Sequence, residues 1–232
     1  MITTIGFDAD DTLWQNEQFF RMTQERFAAL LGDFVERELL YERLLEAEER
    51  NLGQYGFGIK GFVLSMIETA LDVTEDRVPA SVIRALIDAG QEMLQHPIEL
   101  MPHARAAVEA LAPHHTLLLI TKGDLLDQER KLAQSGLGEL FDGVEIVSHK
   151  TVATYTEIFG RAGPGPAASI MVGNSLRSDV VPAIEAGAWG VFVPHEHTWA
   201  LEHDDAPEGH TRFRELETLE GLADLVAGIA TK

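Results

Sequence analysis

The chain has 232 residues, 45% of them apolar, and a formal charge of −20, enough for one large domain or for a core with a smaller insertion. That charge argues against nucleic acid or an anionic membrane as a partner, since both repel it at long range, but it leaves room for a small anion wherever a local cation reverses the field. With no cysteine, disulfides and thiolate metal sites are excluded, in keeping with a reducing compartment and an expected cytoplasmic location. No apolar run is long enough to span a membrane, and the sequence opens directly on a strand pattern.

Met1–Phe7, with Ile2, Ile5 and Phe7, reads as a short strand that empties into Asp8-Ala9-Asp10-Asp11. In an open α/β sheet, ligands bind at the carboxyl ends of the strands. Strand alternation sends Asp8 and Asp10 to one side and Ala9 to the other. Two carboxylates so close repel unless a cation sits between them. The pattern suits a carboxylate nucleophile beside a general acid/base, held together by a hard metal ion. A solvated acidic turn is the plainer alternative.

Residues 15–96 carry helical spacing and no convincing strand. Glu17–Leu31 places Phe19, Phe20, Phe27, Leu30 and Leu31 near one face, and Glu36–Leu52 does so with Leu40, Leu44, Leu45 and Leu52. Phe62–Leu71 and Ser81–Leu94 complete a bundle of four helices whose apolar stripes form its core. Gly53–Gly61 holds four glycines in nine residues, so a loop carrying Tyr55, Phe57 and Lys60 is expected to interrupt the bundle. From residue 103 the texture alternates. Apolar strand runs at Thr116–Thr121, Val144–Ser148, Ser169–Val172 and Trp189–Val193 are separated or followed by helices at His103–Leu111, Leu125–Ser135, Val152–Arg161, Val180–Ala186 and Glu215–Ile229. Continuous apolar strands between helices indicate a parallel, doubly wound α/β sheet covered on both faces. The helical block is then an insertion after the first strand.

The ends of the later strands carry chemistry. The second finishes in Thr121-Lys122-Gly123, a hydroxyl and a flexible backbone where an anion docks. Lys150 follows the third. The fourth runs into Gly173-Asn174-Ser175-Leu176-Arg177-Ser178-Asp179. Singly, these read as a turn threonine, a surface lysine and a helix cap. Together, and in this order, they put a hydroxyl, an ammonium and further oxygen ligands along the same sheet edge as Asp8 and Asp10.

Asp8–Leu13, Thr121, Lys150 and Gly173–Asp179 resemble the four ordered motifs of the haloacid dehalogenase superfamily, which is dominated by phosphatases. The likeness spans essentially the whole chain. It implies a Rossmann-like catalytic core at 1–14 and 97–232, and a helical cap at 15–96 between the first and second motifs. It implies that Asp8 attacks phosphorus and forms an aspartyl-phosphate. Asp10 then protonates the leaving group and deprotonates the attacking water, its carbonyl helping to hold Mg²⁺. Thr121 and the backbone amides at Lys122 and Gly123 would bind phosphoryl oxygens, Lys150 would neutralise the phosphate and orient Asp8, and Asp179 would support the metal. The metal set is thus Asp8, Asp10, Asn174 and Asp179, and Lys60 in the cap is the candidate reader of the substrate. The expected substrate is a small phosphorylated metabolite, and the expected assembly a monomer or homodimer.

One departure stands out: the family's commonest fourth motif has Asp after the glycine, where this chain has Asn174. Its amide oxygen can still bind a hard cation, as a dipole rather than a charge, so weakened Mg²⁺ binding is expected. Three alternatives remain. Dehalogenation uses the same Asp nucleophile without a metal, but such enzymes resemble Asp-x-Tyr in the first motif, so Asp10 favours the phosphatase. A phospho-accepting receiver would not explain the helical insertion. A silent binding protein of this fold has only Asn174 in its favour. His195-Glu196-His197, with His203, Asp204 and His210 downstream, matches no closed zinc spacing and reads as a loop, in which Trp199 either covers the site or packs on the core.

Overall fold

The computed structural model describes residues 1–230. The chain divides into two compact units. One comprises Met1–Glu17, Ile98–Lys122 and the chain from Gln128 onward; the other comprises Gln18–Pro97 together with Gly123–Asp127.

The first unit is built on six parallel strands. These are β1 (Thr4–Phe7), β2 (Thr116–Lys122), β3 (Gly143–Val147), β4 (Ser169–Gly173), β5 (Trp189–Phe192) and β6 (Phe213–Glu215). Their order is β3-β2-β1-β4-β5-β6, so the direction of winding reverses between β1 and β4. The carboxyl edge at such a reversal opens a crevice between the departing connections. Phe7 stands level with Leu119 of β2 and with Val172 of β4, which sets Asp8 and Asn174 at the crevice from its two sides.

Period-two alternation sorts the apolar residues onto two faces. Ile5, Phe7, Leu117, Leu119, Ile170, Val172 and Val191 pack against α5 (Ala104–Leu111) and α9 (Leu222–Ala230) through Val108, Leu111, Leu222 and Val226. Leu118, Ile120 and Met171 face Tyr155, Ile158 and Phe159 of α7 (Val152–Ala162) and Ala183 of α8 (Val181–Glu185). Each such buried side chain is worth about 1.5–3 kcal/mol relative to exposure. Helix α6 spans Leu125–Ser135, and its residues from Gln128 onward belong to this unit, with Leu132 against the face covered by α5 and α9.

The strand β6 was not expected: residues from Glu215 onward read as helix, whereas the helix starts at Leu222. Only three residues long and containing Arg214 and Glu215, it lacks the apolar run of the inner strands. It is an edge strand blunted by charge, and Arg214 lies 4.8 Å over the Trp189 ring, a cation–π contact that ties the edge to β5.

The second unit contains α1 (Glu17–Leu31), α2 (Arg37–Tyr55), α3 (Ile59–Val73) and α4 (Ala80–Gln95). Phe27, Leu31, Leu40, Leu44, Phe62, Met66 and Leu86 form its core. Here the glycine reading needs correction. Helix α2 continues through Gly53 to Tyr55, and α3 begins at Ile59, so Lys60 and Gly61 are helical and the interruption is only Gly56–Gly58. The glycines make a tight turn instead of a loop: Gly56 and Gly58 take φ of 71° and 114°, which L-residues rarely adopt. A Cβ on Gly61 would meet the Gly56 carbonyl oxygen at 2.9 Å. Among the described residues, no helix is long and apolar enough to cross a membrane.

Candidate active site

Asp8 follows β1 directly, its N–H donating to the Val172 carbonyl at 2.9 Å. Its side chain is buried and bound on both oxygens. Lys150 Nζ donates to Oδ1 at 2.5 Å, and the Thr12 hydroxyl donates to Oδ2 at 3.0 Å. Lys150 also donates to Asp179 Oδ1 at 2.6 Å, while Asp179 Oδ2 accepts the Ser175 N–H at 3.0 Å. A buried ammonium thus lies between two buried carboxylates, one ending β1 and one following β4. Burial works to lower the Lys150 ammonium, but Asp179 and Asp8 outweigh burial and hold the ammonium well above its ordinary range. Burial raises Asp8 to about 7, with Lys150 opposing and Asp179 adding to the rise.

The turn after β4 shapes its half of the site. The Ser175 hydroxyl accepts the Ser178 N–H at 2.9 Å, and one π turn over Leu176–Val180 delivers Asp179 back beneath the strand end. Such turns concentrate at functional sites. Asn174 sits at the front. With its amide nitrogen turned to them, it donates to Thr12 Oγ1, the Asp10 carbonyl and Asp8 Oδ2, each 3.2 Å away. A carboxylate oxygen and a peptide carbonyl therefore converge on an amide whose own oxygen can turn to join them. This all-oxygen set suits a hard dication in kind, although among the described residues no three His, Cys, Asp or Glu side chains gather as a metal site. Asp179 contributes to the site through Lys150 and Ser175, both of its oxygens being engaged there.

Asp10 presents only its carbonyl to Asn174. Its carboxylate turns to a different set of donors: Trp14 Nε1 at 2.7 Å and Lys131 Nζ at 2.9 Å on Oδ1, and Gln128 Nε2 at 2.8 Å on Oδ2. Asp11 takes φ of 60° and accepts the N–H groups of Asn16 and Glu17 at 2.8 and 3.0 Å, capping the first turn of α1. Burial raises its carboxyl to about 6, with His195 opposing.

Thr121 is buried in β2 and its hydroxyl donates to the Lys122 carbonyl at 3.2 Å. The Lys122 side chain turns to Glu202 and to Ser178 Oγ, the latter at 2.8 Å; Glu202 Oε2 in turn accepts from Ser175 and Ser178 at 2.6 and 2.5 Å. Burial tends to raise Glu202, but Lys122 and the two serines hold it below the usual carboxylate range. Gly123, next in the chain, takes φ of 135°. Lys60 lies in the helical unit, where its ammonium donates to Asp124 Oδ2 of the same unit at 2.9 Å. In the histidine loop, His195 Nδ1 lies 3.8 Å from Asp11 Oδ1.

Sequence reasoning passed over Thr12, Gln128, Lys131 and Glu202. Thr12 stands inside the first motif and was within reach of inspection. Gln128 and Lys131 are three apart on α6, a spacing that marks one helix face without saying what that face meets. Glu202 ends a single three-residue helical turn, Ala200–Glu202, and carried no signal.

A family model described as a hydrolase, haloacid dehalogenase-like hydrolase, matches residues 2–187. A crystal structure of a haloacid dehalogenase-like family hydrolase from Xanthomonas campestris is 39% identical and superposes with a TM-score of 0.88, over 99% of this chain and 92% of that one. A curated relative, the glyceraldehyde 3-phosphate phosphatase of Methanothermobacter thermautotrophicus, is 25% identical over 86% of this chain and 89% of its own. The L-2-haloacid dehalogenase of Xanthobacter autotrophicus shares the fold at 18% identity with a TM-score of 0.67, over 99% of this chain and 100% of that one.

Proposed function

The chain belongs to the haloacid dehalogenase-like hydrolases, and we propose that within this family it hydrolyses a small phosphomonoester through a covalent intermediate on Asp8. The observation that carries this reading is the division of labour between Asp8 and Asp10. Asp8 is fixed by Lys150 and Thr12, whereas the Asp10 carboxylate is held separately by Trp14, Gln128 and Lys131. Displacing halide from carbon needs no proton donor; expelling an alkoxide from phosphorus does. The phosphatase among the relatives supports the same choice.

In the first half-reaction an Asp8 oxygen forms a bond to phosphorus as the ester P–O bond breaks, and the departing oxygen keeps the electron pair and takes the Asp10 proton. In the second, Asp10 removes a proton from water, the water oxygen bonds to phosphorus, and the Asp8–phosphorus bond breaks, regenerating both carboxyl groups and releasing phosphate. Lys150 holds Asp8 in line and lends positive charge, with Asp179 fixing Lys150. Thr121 and the backbone amides at Lys122 and Gly123 are assigned the phosphoryl oxygens. Asp8 Oδ2, the Asp10 carbonyl and Asn174 Oδ1 would hold Mg²⁺, which supplies charge neutralisation and orientation when bound.

The neutral amide at Asn174 leaves a second reading open to the same experiment: metal-free displacement on carbon by Asp8. The test is a release screen over small phosphomonoesters with and without Mg²⁺, run beside chloride release from 2-chloropropionate. Phosphate release is expected, and Asp8→Asn should take it to background with the far-UV circular dichroism unchanged. Chloride release without phosphate release selects the dehalogenase. Turnover above about a tenth of wild type in Asp8→Asn removes Asp8 as nucleophile under either reading.

A further inference from the structure

We propose that Lys131 and Gln128, both on α6, are positioning residues that aim the carboxylate of Asp10 for its two proton transfers; the inference rests on the phosphomonoesterase reading above. Lys131 is almost wholly buried and divides its ammonium between Asp10 Oδ1 at 2.9 Å and Asn16 Oδ1 at 2.8 Å. Gln128, also buried, donates from Nε2 to Asp10 Oδ2 and to the Lys122 carbonyl, each at 2.8 Å. Among the described residues, the buried Gln128 Oε1 has no hydrogen-bond partner. An amide that leaves a buried acceptor open is oriented by its donor side, here by Asp10 and the end of β2.

The three donors reach Asp10 from two origins. Trp14, fully buried, comes from the segment after β1, and Gln128 and Lys131 come from one face of the helix after β2. A carboxylate gripped on both oxygens cannot rotate freely about its side chain, and general acid–base catalysis depends first on geometry. Because Lys122 precedes Gly123, Gln128 also ties the aim of Asp10 to the segment assigned to the phosphoryl group.

The experiment uses Lys131→Met, Gln128→Met and Lys131→Arg with two esters: 2,4-dinitrophenyl phosphate, whose leaving group departs without a proton, and phenyl phosphate, whose leaving group needs one. In wild type both esters turn over. In Lys131→Met and Gln128→Met, the first turnover of the dinitrophenyl ester should survive as a stoichiometric burst. Its steady state should slow by about 10²-fold, because water activation still needs Asp10, and phosphoenzyme should accumulate. The first turnover of phenyl phosphate should slow by a similar factor with KM unchanged, and Lys131→Arg should restore most of both rates. A loss that is equal on the first turnovers of the two esters, or no loss at all, overturns the positioning role. Gln128→Met keeps that outcome readable if Lys131→Met does not fold. Absence of phosphate release from every ester by wild type overturns the phosphatase reading, and this inference with it.

Discussion

Gly173 and the carboxylate of Asp179 occupy space that cannot be shared with even one methyl group: a Cβ on Gly173 would overlap Asp179 Oδ2, Cγ and Cβ. The glycine lets Asp179 fold back under the end of β4, where it accepts the Ser175 N–H and holds Lys150. Gly173→Ala must push Asp179 aside and release its grip on Lys150. The expected cost is about 1–3 kcal/mol of stability together with a drop of about 10²-fold or more in kcat, since reacting groups displaced by an ångström lose rate on that order. Denaturant unfolding and steady-state kinetics check this; wild-type kcat in the variant refutes the relationship.

Asp8 supplies a prediction in pH. Burial raises its carboxyl from 3.8 in the unfolded chain to about 7, Lys150 opposing and Asp179 reinforcing. Between those values the folded state binds the extra proton, so the contribution to stability is full below about pH 4 and is lost as pH rises through about 7. Asp11, raised to about 6, acts in the same sense. Wild type should therefore lose stability relative to Asp8→Asn between pH 4 and 8, by about 3–4 kcal/mol at most. Without added dication, kcat/KM should fall on the acid side of pH 7 as Asp8 takes up its proton. A pH-independent stability difference between the two proteins contradicts the assignment.

Asn174 sets the affinity for a dication. Its amide lies 3.2 Å from Asp8 Oδ2 and the Asp10 carbonyl, so Asn174→Asp brings a second negative charge to that point. Mg²⁺ affinity should rise by about tenfold or more, about 1.4 kcal/mol. The metal-free variant should melt below wild type, because the new carboxylate faces Asp8 without a partner. Isothermal titration calorimetry and melting with and without Mg²⁺ read both effects independently of turnover. Unchanged affinity shows that position 174 does not face the cation.

The strands bearing the site were legible because a doubly covered sheet writes them as unbroken apolar runs, and because chemistry in such sheets gathers where the runs stop. Asp8, Asp10, Thr121, Lys150 and Asp179 each stand at or beyond such a stop, so their presence on one edge followed from the strands being parallel. The edge strand β6 was not legible, since three residues with an arginine and a glutamate carry no apolar period. The glycines of Gly53–Gly61 were visible, but the turn they form depends on α2 and α3 packing together. That packing lets Gly53 remain helical despite a cost of about 1 kcal/mol.

What the sequence by itself determined was the sheet edge at which Asp8, Asp10, Thr121, Lys150 and Asp179 stand. Only the tertiary structure decided how each group is aimed. The Asp10 carbonyl faces Asn174 while its carboxylate faces Trp14, Gln128 and Lys131; Asp179 serves Lys150; and the Lys122 side chain belongs to Glu202. The reason is physical: strand alternation and helical periodicity fix which face of its own element a side chain takes. The donor or charge it meets there can come from far along the chain: Gln128 and Lys131 stand 118 and 121 positions from Asp10 and are brought within 3 Å of it only by the packing of the sheet and its helices.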